Sequence, residues 1–149
     1  MKIKKGTIAD LNDLVEFQYN MALETENLNL DKQMLTAGVQ TVLNHIDKGN
    51  YYLVEIEGKN VACLLTTFEW SEWRNGTVLW IQSVYVLPGF RQRGIYKRLY
   101  QYVKALVEQN TELKGIRLYA DKTNIKAQQV YEKLGMSAEH YQLYEWLKD

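Results

Sequence analysis

The chain has 149 residues, 46% of them hydrophobic and 24% charged, the profile of one soluble globular domain spanning the whole length rather than of a disordered or membrane chain. Eighteen basic residues balance eighteen acidic ones, so no net field draws the molecule onto nucleic acid or an anionic membrane, and any anion site must be local. Lysine-rich Met1 to Gly6 lacks the apolar core of a secretory signal and no run of about 18 apolar residues follows it, so a cytoplasmic protein is the expectation.

In chain order, Ile3 to Thr7 predicts a short opening strand, and Leu11, Leu14, Val15 and Ala22 then recur at helical spacing up to about Glu24. Asp31 can cap a second helix whose apolar stripe runs Leu35, Val39, Val42, Leu43 and Ile46, with Gly49 closing it. Tyr51 to Ile56 and Val61 to Phe68 are rich in β-branched and aromatic residues, and Glu57 to Asn60 between them supplies hairpin turn chemistry. A second hairpin connection, Trp70 to Gly76, leads into a long strand from Thr77 to Leu87. The only proline, Pro88, ends it, because proline cannot donate to a ladder.

From Gly94 to about Asn110 the residues Ile95, Leu99, Tyr102, Val103 and Leu106 predict a helix, and Ile116, Leu118 and Ala120 alternate as a strand. Strand, helix and strand in that order imply a βαβ crossover and hence a parallel pair. Asn124 can cap a short helix carrying Ala127, Val130, Tyr131 and Leu134, with Gly135 past its end, and Met136 to Leu147 reads as one or two final strands. The fold expected is α+β: a central mixed, mostly antiparallel twisted sheet of six to seven strands flanked by about four helices. The aromatic tail, with Tyr141, Tyr144 and Trp146, suits a homodimer interface and a core equally.

Cys63 is the only cysteine, which excludes an intramolecular disulfide and a cysteine cluster for zinc, and its apolar neighbours predict a buried thiol. His45 and His140 stand in no ligand spacing, so no metal is expected.

The segment from Val84 to Leu99 passes from strand through a tight basic turn into a helix. A helix start leaves N–H groups without intrahelical partners and carries partial positive charge, so the loop before it can hold phosphate oxygens. Gly94 lets a ligand approach the backbone, and Arg91, Arg93 and Lys97 add charge; a solvated basic helix start is the bland alternative.

Arg91-Gln92-Arg93-Gly94-Ile95-Tyr96 resembles the signature of the GNAT superfamily of N-acetyltransferases, which is Arg or Gln, two variable residues, Gly, one variable residue, then Gly or Ala. Tyr96 departs from the small residue of the last position. Asn124, Ala127, Tyr131 and Gly135 are similar to the family's later motif, and the two motifs together span Trp80 to Met136. The resemblance implies acetyl-coenzyme A as co-substrate, with its pantetheine arm in a gap between splayed parallel strands. Val84, Tyr85 and Val86 would bind that arm through backbone groups. Arg91, Gln92, Arg93, Gly94, Ile95, Tyr96 and Lys97 would hold the diphosphate, with Asn124 and Tyr131 also at the cofactor. A helix cap for Asn124 and a core position for Tyr131 are the structural readings of the same residues.

An amine attacking a thioester needs a deprotonated nitrogen, donors for the oxyanion and an acid for the thiolate. By resemblance, a backbone N–H near Val84 to Val86 would polarise the carbonyl and Tyr131 would serve the sulfur, since a phenol of pKa about 10 is protonated at neutral pH. Gln82 stands near where many relatives carry a strand glutamate, and an amide is no base. Glu24, Glu26, Glu69 and Glu72 are alternatives, with Glu69 preferred, each weighed against a solvated surface charge. Trp70 and Trp73 beside these carboxylates suggest a cationic acceptor, a small-molecule amine, peptide N-terminus or lysine. The alternative is a coenzyme A-binding sensor or interaction module without catalysis; a nucleic-acid-binding domain is disfavoured by neutral charge and the lack of a basic stripe.

Overall fold

The computed structural model describes residues 1–148. They form two compact units, Met1–Leu118 and a second from Tyr119 onward.

The first unit holds a five-stranded sheet in the order β1-β2-β3-β4-β5, with β1 Lys2–Lys5, β2 Asn50–Ile56, β3 Lys59–Ser71, β4 Gly76–Val86 and β5 Leu113–Leu118. The first four strands pair antiparallel and β5 joins β4 in parallel. Helix α3, Ile95–Gln109, is the crossover between these last two. The mixed, mostly antiparallel sheet is the one expected, but its strand count is five among the described residues, not six to seven.

Tyr51, Leu53, Cys63 and Tyr85 on one face of the sheet pack with Leu14, Val15 and Phe17 of α1, Leu11–Glu26, and with Val39 of α2, Lys32–Asn44. Alternation sends Tyr52 to the other face, where its ring meets Tyr102 of α3 edge-on at 5.4 Å between centroids. Helix α3 buries Ile95, Leu99, Tyr100 and Val103, the stripe its apolar spacing predicts. Both faces are therefore covered, which is why Tyr51 to Val54 and Val61 to Leu64 are buried without interruption rather than alternately. Fully buried leucines such as Leu53 and Leu64 each contribute about 1.5–3 kcal/mol by burial.

Helix α1 runs through Glu26, slightly past the expected end, and stops where Asn27 turns left-handed with φ 51°. Asp31 caps α2 as expected, its carboxylate accepting from the Gln33 and Met34 N–H groups at 2.9 and 3.1 Å.

The second unit contains α4, Ile125–Lys133. Asn124 caps it through Oδ1, which accepts from the Ala127 N–H at 3.1 Å, and Gly135 ends it with φ 88°. The one or two strands expected from 136 to 147 do not form among the described residues. Aromatic content gives that segment strand propensity, yet a strand exists only through a ladder partner; here Tyr144 and Trp146 are 85% and 86% exposed.

Candidate active site

The parallel ladder between β4 and β5 runs from Thr77↔Leu113 to Ile81↔Leu118 and goes no further. At the same point the β3–β4 register steps from Thr66↔Ile81 to Leu65↔Ser83, so Gln82 is an extra residue in β4. A bulge bends and twists the strand that carries it. Past Gln82, β4 keeps its β3 ladder through Val84↔Leu64, Tyr85↔Cys63 and Val86↔Ala62, while its β5 side has no ladder within the sheet. Backbone groups on that side are of the kind that can pair with an extended, amide-containing ligand. Val84, Tyr85 and Val86, the residues expected at the splay, thus have no β5 partner in the ladder. The Gln82 amide is held by the Thr67 hydroxyl at 2.8 Å, and nothing in the sequence marks it as a bulge.

The chain then makes a short 3-10 turn at Pro88–Phe90 and a second turn through Arg91 to Gly94. Gln92 and Gly94 are both left-handed, with φ 62° and 72°. A Cβ on Gly94 would meet nothing within 4 Å, so the glycine answers to backbone conformation and open space lies in front of it. The helical ladder of α3 starts with the Arg98 N–H on the Gly94 carbonyl at 3.1 Å, leaving the N–H groups of the first turn ahead of it. Arg93, with its guanidinium 5.1 Å from the Phe90 ring centroid, and Lys97 are exposed beside this turn, whereas Tyr96 is half-buried. An open left-handed glycine, a fifteen-residue helix start and two exposed cations fit a diphosphate.

Arg91 is engaged elsewhere. Its Nε donates to the Val86 carbonyl at 2.9 Å and its terminal nitrogen to Glu24 in the last turns of α1 at 2.6 Å. The other Glu24 oxygen accepts from the Tyr85 hydroxyl at 3.0 Å. The Arg91 hydrogen bond, helped by that from Tyr85, holds the Glu24 carboxyl below the usual carboxylate range. Burial first, then the Glu24 carboxylate, pushes the Tyr85 phenol up.

Glu69 is not brought to this strand end. It faces Val78 in the ladder, six residues or about 20 Å along β4 from Val84, and its carboxylate is paired with Arg117 of β5. Trp70 and Trp73, 62% and 87% exposed, lie with Glu72 at the β3–β4 hairpin, again at the far end of β4. Asn124 and Tyr131 sit at the cap and in the second turn of α4, in the second unit, with Tyr131 half-buried. Cys63 is fully buried as expected, and burial pushes its thiol up to about 12. No group of three or more metal-ligating side chains occurs, and no helix is long and apolar enough to cross a membrane, among the described residues.

A sequence model of the acetyltransferase (GNAT) family matches residues 10–136, across both units. The chain belongs to that family. A possible acetyltransferase from Clostridium difficile 630 is 40% identical, with 99% of this chain and 97% of that one covered and a TM-score of 0.94. AAC(6')-Iy, solved with the bisubstrate analogue CoA-S-monomethyl-acetylneamine, is 16% identical over 99% and 98% of the two chains with a TM-score of 0.80. The aminoglycoside acetyltransferase meta-AAC0020 from an uncultured soil metagenomic sample, in complex with sisomicin, is 17% identical over 99% and 95% with a TM-score of 0.77. At such identities the last two speak for the GNAT fold alone. No curated protein sequence matches the chain.

Proposed function

We propose that this GNAT chain transfers the acetyl group of acetyl-coenzyme A to a primary amine by direct attack in a ternary complex. One observation carries the reading: β4 loses its parallel partner at the Gln82 bulge, and the same strand leads through an open left-handed turn into α3. An extended amide arm fits the first feature and a diphosphate the second. When bound, acetyl-coenzyme A supplies a thioester whose thiolate is the leaving group.

The chain's own groups divide the remaining work. Backbone N–H groups between Val84 and Val86 polarise the acetyl carbonyl, where charge develops as the amine adds. Gln92 to Lys97 hold the diphosphate through the helix start and the Arg93 and Lys97 cations, while Arg91 stays on Glu24 and the Val86 carbonyl. Asn124 keeps α4 in register by capping it, and Tyr131 protonates the departing sulfur, the role that the later motif implies. Gln82 cannot accept a proton, Glu69 lies a strand's length away and both Glu24 oxygens are hydrogen-bonded, so in this reading the ammonium proton leaves to water.

The acceptor class is a small-molecule amine, a reading favoured by the aminoglycoside acetyltransferases among proteins of the same fold. Thiol release measured with a panel of polyamines, aminoglycosides, amino acids and peptide N-termini tests it. Amine-dependent release with at least one cationic acceptor is expected; turnover limited to acidic amines would reject the acceptor class. The reading without catalysis is separated by Tyr131→Phe, which should slow thiol release at least tenfold while coenzyme A still binds.

A further inference from the structure

The signature arginine makes contacts that a phosphate ligand does not need. One guanidinium joins three pieces of chain: Nε holds the carbonyl of Val86, the last residue of β4, at 2.9 Å, and a terminal nitrogen holds Glu24 at 2.6 Å. The third piece is its own turn. The group also lies 5.5 Å from the centroid of the Tyr85 ring, whose hydroxyl holds the second Glu24 oxygen at 3.0 Å. Both carboxylate oxygens are therefore occupied, one by the strand that would carry the pantetheine arm and one by the turn that would carry the diphosphate.

Glu24 precedes the end of α1 at Glu26 by two residues. Next come left-handed Asn27 and the connection to Asp31, which caps α2. The Asn27 and Leu28 N–H groups both close on the Ala22 carbonyl, Leu28 at 3.2 Å. The helix end held by Glu24 is thus where the chain leaves α1 for the connection at 27–31. With side chains 44% and 39% exposed, the Arg91–Glu24 pair adds little to stability, so its value lies in where it fixes the chain. Lysine could not replace the arginine, because a point charge does not span two acceptors as a rigid fork does.

We infer that Arg91 and Glu24 are a positioning pair that couples the diphosphate turn to the end of α1, so that coenzyme A held at the turn also steadies the Asn27 and Leu28 amides. The inference rests on the coenzyme A reading above and adds two positioning residues to it. Coenzyme A stiffens the turn, and Arg91 transmits this through Glu24 to the end of α1. Binding free energy at one site thereby reaches another through one two-armed side chain.

Hydrogen exchange with and without saturating coenzyme A tests this in the intact protein, with no acceptor required. In the wild type, exchange should slow at 92–97 and also, by about fivefold or more, at the Asn27 and Leu28 amides. Glu24→Gln keeps the acceptor for Tyr85 and removes the charge facing Arg91; Arg91→Lys keeps the charge of the turn and removes the fork. Both variants should retain the protection at 92–97 and lose that at Asn27 and Leu28. Unchanged or faster exchange at Asn27 and Leu28 in the wild type, or protection there that survives in Arg91→Lys, would overturn the coupling. Absence of protection at 92–97 in the wild type would instead overturn the coenzyme A reading, and the coupling with it.

Discussion

Ile81 faces Leu118 across the parallel ladder, and the next residue of β4, Gln82, has no opposite number on β3. Loss of one neighbour and a bulge against the other coincide at a single step of the chain. Everything proposed for the cofactor strand depends on that coincidence. A bulged strand twists more strongly than its unbulged neighbour, and β5 is short enough to end where the twist begins. The proposed mechanism and the fold therefore share one local cause.

Gly94 should be the most sensitive single position of the turn. With φ 72° and nothing within 4 Å of a Cβ, Gly94→Ala meets conformational strain without a clash and should cost about 1 kcal/mol of stability. Gly94→Val adds bulk in the open space proposed for phosphate and should weaken coenzyme A binding at least tenfold. Urea unfolding and coenzyme A titration on the two variants separate the effects; equal affinity in all three proteins would contradict the turn's assignment.

The buried thiol of Cys63 should be inert in the folded protein. Burial raises it to about 12 against an ordinary 9.0, so thiol reagents at pH 8 should modify it only after unfolding. The sign for stability follows. Above pH 9 the unfolded thiol ionises while the folded one stays protonated, so this group's contribution is full below 9 and is lost as pH rises toward 12. Thiol titration with and without denaturant checks both statements.

Asp10 ties β1 and the start of β3 to the start of α1. It is 6% exposed and accepts from Lys4 Nζ at 2.9 Å, the Thr7 N–H at 3.0 Å and Asn60 Nδ2 at 3.1 Å. Burial alone would raise its carboxyl, but the hydrogen bonds from Lys4, Thr7 and Asn60 outweigh burial and lower it. Its contribution is therefore present above the ordinary value of 3.8 and fades as pH falls through the lowered one. Asp10→Ala should cost about 2–3 kcal/mol, since it strands buried donors, and urea midpoints at pH 7 measure it.

Without a carboxylate base, rate should follow the free amine. For an acceptor of ordinary lysine-like basicity, near 10.4, kcat/KM should climb tenfold per pH step from 6 to 9 without a plateau. Glu69→Gln should change kcat/KM less than about threefold, because Glu69 stands about 20 Å along the strand from Val84. A plateau beginning near neutral pH that vanishes in Glu69→Gln would restore the carboxylate to the mechanism.

Most of the first unit was legible in the sequence, because its strands and helices carry periodic apolar stripes that local reading detects. Asp31, Asn124 and Pro88 marked ends where the chain does turn. The tail failed for a physical reason: Tyr141, Tyr144 and Trp146 raise strand propensity, but a ladder is a non-local event that alternation cannot supply. Parts of the site are non-local in the same way. Arg91 meets Glu24, which lies 67 residues earlier, and sequence order hides how far along β3 Glu69 sits from Val84. The bulge at Gln82 left no compositional trace at all.

An amide chemical-shift titration with coenzyme A tests the central claim most directly. The account predicts saturable one-to-one shifts concentrated at 82–86 and 92–97, with the backbone of β4 reporting alongside the start of α3. Shifts that are absent at saturating coenzyme A, or that fall on other segments while these two stay silent, would contradict it.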